Sequence, residues 1–119
     1  MTREIHLSLP YPVSANRYWR WSKRGVFVSA EAKAYKEEAR WRAWQQGAKC
    51  TDKKISMRIT LVPRTKRSID LDNALKIALD ALQGVCYWND SQVERIHIER
   101  ATADKKNARL EIEIEVLED

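Results

Sequence analysis

The most strongly periodic segment of the chain is residues 70–84, DLDNALKIALDALQG. Its apolar positions recur at the three- and four-residue spacing of an amphipathic helix, and they are Leu71, Leu75, Ala78, Leu79 and Leu82. Gly84 follows as a natural stop, because glycine tolerates the left-handed conformation that ends many helices. The pattern predicts a helix up to Leu82, with Asp70 at its N-cap or just before it.

Alternating apolar and polar residues predict four strands around this helix. The alternating segments are residues 5–9, 55–61, 93–98 and 110–116. Proline follows soon after the first two, and it ends a strand because it has no backbone N–H to donate. Residues 10–28 show neither period, and we interpret them as a loop or an irregular hairpin.

An earlier helix is predicted between Ser29, a good N-cap, and Gly47, a natural residue for the C-terminal end. One of its faces is small and apolar, formed by Ala32, Tyr35, Ala39 and Ala43. Trp41 and Trp44 project from roughly the opposite side. A chain this short has little left to cover a second face, so both are candidates for a subunit interface; cover by another segment of the same chain is the alternative.

These elements give the order β-α-β-α-β-β. They predict an α+β fold, a small mixed sheet of about four strands with two helices packed on one face. The length of 119 residues suits a single domain spanning residues 1–119. Two cysteines are too few for a disulfide framework, and no apolar run approaches the roughly 20 residues of a membrane span, so we expect a cytoplasmic protein.

Charge is distributed unevenly along the chain. The net charge is +5, but residues 1–67 hold 16 basic and 5 acidic side chains, whereas residues 68–119 hold 6 and 12. Aromatic residues alternate with the basic ones over residues 16–24, a composition that pairs phosphate contacts with base stacking. We expect nucleic acid to contact Asn16, Arg17, Arg20, Lys23, Arg24, Arg64, Lys66 and Arg67. The alternative is a loop whose aromatic side chains cover the edge of the core.

Carboxylates cluster on the later helix and in the loop after it. Asp72, Lys76 and Asp80 are four residues apart and share one face. Asp70 can turn toward that face from the N-cap, and Asp90 can approach it if the chain doubles back. Clustered carboxylates suit a hard cation such as Mg²⁺, which keeps several waters and takes one or two carboxylates plus a substrate phosphate. The alternative is ordinary helix chemistry, with an acidic cap and a surface ion-pair ladder.

Several short sequence motifs are specific to a protein family only when they are taken together. They are PYPVSANRY at residues 10–18, VSAE at 28–31, DLDN at 70–73 with Lys76 and DAL at 80–82, and NDSQV at 89–93. In this order and spacing they resemble the RusA-type crossover junction endodeoxyribonucleases, which resolve Holliday junctions in bacteria and their phages. The resemblance runs through nearly the whole chain.

This resemblance implies Mg²⁺, or Mn²⁺ in its place, held by Asp70, Asp72 and Asp90, with Lys76 as a catalytic basic residue. It implies a homodimer that places paired symmetric nicks in four-way DNA junctions during recombination and repair, in the bacterial cytoplasm and without a nucleotide cofactor. Asn89 departs from the family pattern, which often has aspartate there. A non-catalytic nucleic-acid-binding dimer on the same scaffold is the alternative, and the role of Asp80 stays open.

Overall fold

A computed structural model describes residues 3–13, 19–23, 25–66 and 70–117. The elements in chain order are β1 (Arg3–Pro10), β2 (Trp19–Ser22), β3 (Gly25–Val28), α1 (Ala30–Gln45), β4 (Ile55–Val62), α2 (Leu71–Leu82), β5 (Val93–Arg100) and β6 (Arg109–Val116). A 3₁₀ turn over Asp90–Gln92 precedes β5. The predicted α+β class, two helices with a four-stranded mixed sheet, is confirmed.

The main sheet has the strand order β1-β6-β4-β5. β6 is antiparallel to both of its neighbours, whereas β4 and β5 are parallel and are joined through α2. Ile55 pairs with Val93, so β4 and β5 begin at the same end of the sheet. α2 runs back from the end of β4 to the start of β5. Its N-terminus therefore lies at one end of the sheet, and the 3₁₀ turn that precedes β5 lies at the other.

The helices begin and end where the capping residues predict. The Ser29 hydroxyl oxygen accepts a hydrogen bond from the Ala32 backbone N–H at 3.1 Å. Gly47 and Gly84 follow α1 and α2 with φ of 96° and 86°, which suits glycine because it has no Cβ. None of the described helices is long and apolar enough to cross a membrane.

Both helices cover the same face of the sheet. α1 buries the predicted stripe of Ala32, Tyr35, Ala39 and Ala43. On α2 the buried residues are Ala74, Ile77, Ala78, Ala81 and Leu82, whereas Leu75 and Leu79 are only partly buried. Leu71, Leu75 and Leu79 are partly buried and pack against the same core, so the predicted apolar face of α2 meets the core, with Ala74, Ile77 and Ala81 buried more deeply.

Residues 19–22 and 25–28 form the antiparallel pair β2–β3, in which Trp19 lies opposite Val28 and Ser22 opposite Gly25. The interpretation of residues 10–28 as a loop or an irregular hairpin is confirmed for residues 19–22 and 25–28, which pair; residues 14–18 and 24 lie outside the described residues. The hairpin stands apart from the main sheet as a separate two-stranded unit and leads directly into α1.

Candidate active site

Asp70 and Asp72 lie at the N-terminal end of α2. Asp70 is the N-cap, with an extended backbone, but its carboxylate makes no side-chain cap hydrogen bond. Asp72 is exposed in the first turn. The free N–H groups of a helix N-terminus attract negative charge. Asp70 and Asp72 are two residues apart and both are exposed, so a cation and an anionic substrate have room to bind at this end of the helix.

Lys76 and Asp80 continue the same face of α2, but they do not form the ion-pair ladder that was the alternative. Asp80 pairs with Lys36 of α1, Oδ2 to Nζ at 3.3 Å, with the two side chains about a third and a quarter exposed. Within the described ranges, no ion pair joins Lys76 to Asp72 or Asp80, and Lys76 is exposed. Asp80 thus links the two helices, while Lys76 remains available one turn after Asp72.

The loop after α2 doubles back and carries Asp90 on the 3₁₀ turn. Asn89 caps this turn, since its Oδ1 accepts a hydrogen bond from the Ser91 N–H at 2.9 Å. Gln92 completes a capping box from the other side. The asparagine that departs from the family pattern therefore has a structural role in holding the turn.

Gln92 also ties the turn to the loop before β4. Its side-chain oxygen accepts hydrogen bonds from the N–H groups of Trp88 and Asn89, at 2.8 and 2.9 Å. Its amide nitrogen donates to the carbonyls of Thr51 and Lys53, each at 2.8 Å. The side chain is 9% exposed, so these four bonds form largely away from water. They fix the position of the turn that bears the third carboxylate.

Tyr87 lies buried between this turn and α2. Its hydroxyl donates to the Leu79 carbonyl at 2.6 Å. Burial, and then the charge and a hydrogen bond of Asp90, raise the pKa of Tyr87 far above its ordinary value, so the hydroxyl stays protonated. Tyr87, three residues before Asp90, therefore lies against the last turn of α2. At about 1.5 Å per residue, Leu79 is about 10 Å along the helix from Asp72.

The three predicted metal ligands therefore do not meet within one chain. Asp70 and Asp72 lie at one end of α2, and Asp90 lies against the other end. Among the residues that the structure describes, no group of three or more Asp, Glu, His or Cys is placed to hold a metal ion. The donor chemistry of each end still fits Mg²⁺, which prefers oxygen ligands and keeps several waters when one or two carboxylates bind it.

The described basic residues that we predicted to contact DNA lie in the connector after β4 and in the β2–β3 hairpin. Arg64 and Lys66 are exposed in the connector from β4 to α2. The Arg64 guanidinium lies over the Tyr11 ring, 5.7 Å from its centroid, which brings the connector beside the residues that follow β1. Lys23 is exposed at the turn between β2 and β3, and Arg20 lies in β2. The other predicted DNA contacts, Asn16, Arg17, Arg24 and Arg67, lie outside the described residues.

Three tryptophan side chains are largely exposed, Trp41 and Trp44 on α1 and Trp88 in the loop after α2, by 60%, 53% and 60%. We call these three residues together the tryptophan surface. Arg40 of α1 donates to the Gln83 carbonyl at 3.1 Å, and the Gln83 amide donates to the Trp88 carbonyl at 3.2 Å. These bonds join α1 to the loop that carries Asp90. The exposure predicted for Trp41 and Trp44 is confirmed, and the surface extends to the neighbourhood of Asp90.

Sequence reasoning did not identify Tyr87 or Gln92 as residues that shape the site. A signal for Gln92 was present, because asparagine followed three residues later by glutamine is a capping-box pattern. Tyr87 had no local signal, since its partners on α2 and on the 3₁₀ turn are set by how the loop folds back.

The fold and the site define a small α+β protein whose exposed acidic helix end follows exposed basic residues in the chain, a combination suited to metal-assisted chemistry on a polyanion. Residues 10–115 match the family model described as Endodeoxyribonuclease RusA. The chain is 32% identical over 111 residues to the crossover junction endodeoxyribonuclease rusA of Enterobacteria phage 82, and the aligned region covers 92% of each chain. It is 33% identical over 112 residues to the RusA protein of Escherichia coli strain K12, and 32% identical to that of Shigella sonnei, with 91% of each chain covered. The chain belongs to the RusA endodeoxyribonuclease family.

Proposed function

We propose that this protein is a divalent-metal-dependent endodeoxyribonuclease that resolves four-way (Holliday) DNA junctions in recombination and repair. The observation that carries the proposal is the exposed acidic end of α2, Asp70 and Asp72 with Lys76, directly after the exposed basic connector of Arg64 and Lys66. In this proposal the connector holds a phosphodiester next to the acids that follow it in the chain. The relatives, named crossover junction endodeoxyribonucleases, support the choice of substrate.

Asp70, Asp72 and Asp90 are the proposed ligands of Mg²⁺, with Mn²⁺ as a substitute. When bound, such an ion neutralises charge on the phosphoryl oxygens and makes a bound water a better nucleophile. The chain supplies oxygen ligands whose exposure leaves room for water and phosphate. Lys76 directs its ammonium group to the negative charge that grows on the phosphate as the bond breaks.

A second copy of the chain completes each site in this proposal. Within one chain Asp90 lies far from Asp72, but Trp88 of the tryptophan surface is only two residues from Asp90. An interface formed there brings Asp90 to the partner. We therefore place Trp41 and Trp44 in the interface of a homodimer with twofold symmetry. Each metal site then combines Asp70 and Asp72 of one chain with Asp90 of the partner subunit, and two such sites fit paired symmetric nicks.

The same dimer presents the basic surface twice. The proposed DNA contacts are the residues of the hairpin region and of the connector: Asn16, Arg17, Arg20, Lys23, Arg24, Arg64, Lys66 and Arg67. They supply phosphate contacts that position the junction without reading its sequence.

Cleavage of a labelled four-way junction, compared with a linear duplex of the same sequence, tests this function. We expect paired nicks in the junction only, and only when Mg²⁺ is present. Asp72→Asn is expected to abolish nicking and to leave junction binding within about twofold, because it removes a metal ligand and no DNA-binding cation. Asp52→Asn, an exposed aspartate in the loop before β4, is the matched control.

Two outcomes contradict the proposal. Nicking by Asp72→Asn at close to the wild-type rate removes the acidic end of α2 from the active site. Junction binding by the wild-type protein with no nicks at any Mg²⁺ or Mn²⁺ concentration supports the non-catalytic binding dimer instead.

A further inference from the structure

Strand β5 forms one edge of the main sheet, and most of its side chains are exposed. Among the described strands it pairs with β4 only, so its other side presents backbone N–H and C=O groups to which a further strand can bond. Ile96, in the middle of β5, is 39% exposed. The opposite edge strand, β1, ends at Pro10, which has no N–H to donate, whereas β5 contains no proline. β5 is therefore the edge better suited to pair with another strand.

The side chains of β5 follow a pattern that is complementary to itself in the antiparallel direction. The sequence of residues 94–100 is ERIHIER. When two copies of this strand are aligned antiparallel about His97, every pair of opposite residues matches in charge or in apolar character. The opposite pairs are Glu94–Arg100, Arg95–Glu99 and Ile96–Ile98, and each occurs twice. Opposite charges and apolar side chains facing each other across neighbouring strands stabilise a sheet.

The other registers of the same strand lack this match. A shift of one residue places Glu94 opposite Glu99 in one direction, or Arg95 opposite Arg100 in the other. Like charges directly opposite each other destabilise a strand pair. A shift of two residues places a charged side chain opposite an isoleucine. The sequence of β5 therefore favours one antiparallel register, the one centred on His97.

The carboxylates of β5 are accessible to a second chain. Glu94 has a local partner in Lys54 at 3.1 Å, and Glu99 has one in His97 at 3.7 Å. The side chains of both pairs are half exposed or more. Because exposed ion pairs contribute little stability, they leave both carboxylates free to contact the arginines of a neighbouring strand.

Antiparallel pairing of two β5 strands reverses one sheet relative to the other. Leu61 pairs with Arg100, so β4 and β5 finish at the same end of the sheet, from which the connector leads to Asp70 and Asp72. The start of the second β5 lies beside this end, and Asp90 of the partner subunit lies just before that start. The pairing thus brings Asp90 of the partner subunit to the end of the sheet that carries the other two acids.

We propose that β5 pairs antiparallel with β5 of a second copy of this chain, about a twofold axis at His97, and joins the two main sheets into one continuous sheet. The inference rests on the proposed function, because it takes the active form to be a homodimer, and it names the contact that orients the two chains. Trp88 lies in the loop that leads to β5, so the strand pairing adjoins the tryptophan surface. The partner copy also covers Ile96 with Ile98 of the partner subunit.

Charge reversal on β5 tests this pairing. Arg95→Glu places like charges opposite Glu99 at two symmetric positions, and we expect it to weaken the dimer by about 10-fold or more in sedimentation equilibrium. Glu99→Arg should do the same. With both changes in one chain the charges are exchanged and match again, so the dimer dissociation constant should return to within about threefold of the wild type. An equimolar mixture of the two single variants should recover dimers as well.

Glu4→Arg is the matched control, since Glu4 is an exposed charged residue on the opposite edge strand. It should leave the dimer dissociation constant unchanged. Wild-type dimerisation by Arg95→Glu, or no recovery when Glu99→Arg is added, overturns the inference.

Junction nicking, measured in parallel, separates this inference from the proposed function. Nicking should be lost in each single variant of β5 and should return with the dimer when the two are combined. If Arg95→Glu dimerises and nicks like the wild type, the strand pairing fails and the proposed function stands. If the dimer follows the charges as expected but wild-type protein nicks no junction with Mg²⁺ or Mn²⁺, the proposed function fails and the strand pairing stands.

Discussion

Asp72 and Asp80 are both aspartates on the same face of α2, but their surroundings give them different roles. Asp80 is largely covered and pairs with Lys36 at 3.3 Å, so it holds α2 against α1. Asp72 is exposed, with no ion-pair partner within the described ranges. A partly buried pair contributes to the packing of the helices. The exposed carboxylate is left for a ligand.

Gln92 is the residue whose loss should most weaken the loop that carries Asp90. Gln92→Met keeps the size of the side chain but leaves the carbonyls of Thr51 and Lys53 and two backbone N–H groups without this partner. We expect the free energy of unfolding to fall by about 2 kcal/mol, since unsatisfied polar groups in a buried setting cost about 1–3 kcal/mol. Urea denaturation measures the change.

Gln83→Met is the matched control for that variant. Gln83 is exposed, and its amide makes one described hydrogen bond, to the Trp88 carbonyl. We expect a change of less than about 0.5 kcal/mol. Equal losses for the two variants would show that Gln92 is not a special link between the turn and the loop before β4.

The hairpin β2–β3 is the element on which the nucleic-acid proposal is most readily tested. Arg20→Ala combined with Lys23→Ala is expected to weaken junction binding and to lower the steepness of its salt dependence by about 1–2 units, because each lost phosphate contact releases about one counterion fewer. Lys49→Ala combined with Lys53→Ala removes the same charge from the exposed loop after α1 and is the control. A salt slope unchanged by the hairpin variant favours the alternative, in which the hairpin only covers the core.

Elements whose limits depend on neighbouring residues were predictable from the sequence. Ser29 and Gly47 mark the ends of α1 because capping involves groups only a few residues apart. The acidic end of α2 followed from the same local rules. The path of the hairpin was anticipated only in outline. The apolar face of α2 was predictable from its spacing, but periodicity alone does not say that Ala74, Ile77 and Ala81 are buried more deeply than Leu75 and Leu79.

The features of the site that could not be predicted from the sequence depend on contacts between residues that are far apart in the chain. The Lys36–Asp80 pair spans 44 residues, and Gln92 reaches Thr51 across 41. Both depend on how the helices and loops pack. The acids were recognisable in the sequence as a cluster, but the separation of Asp90 from Asp72 depends on the parallel pairing of β4 with β5, which alternation of apolar residues does not specify.

At the scale of the whole molecule, this topology explains why the proposed enzyme needs two chains. A helix that joins two parallel strands runs the full length of the sheet, so residues before it and after it lie at opposite ends. Asp70 and Asp72 precede or begin α2, and Asp90 follows it. The tryptophan surface next to Asp90 offers apolar area for a partner. In the proposed dimer, Asp70 and Asp72 of one chain therefore lie close to Asp90 of the partner subunit, although these residues are far apart within one chain.

Mixed dimers test this account most directly. Asp72→Asn and Asp90→Asn chains, each expected to be inactive alone, are co-expressed with different tags and purified as mixed dimers. If the sites are shared, one site in each mixed dimer keeps Asp72 from one chain and Asp90 from the other, so nicking returns at about half the wild-type rate, with single nicks. Adding Trp41→Glu to both chains should prevent the dimer, as measured by light scattering, and with it the recovery. Mixed dimers that form but stay inactive would contradict the shared site.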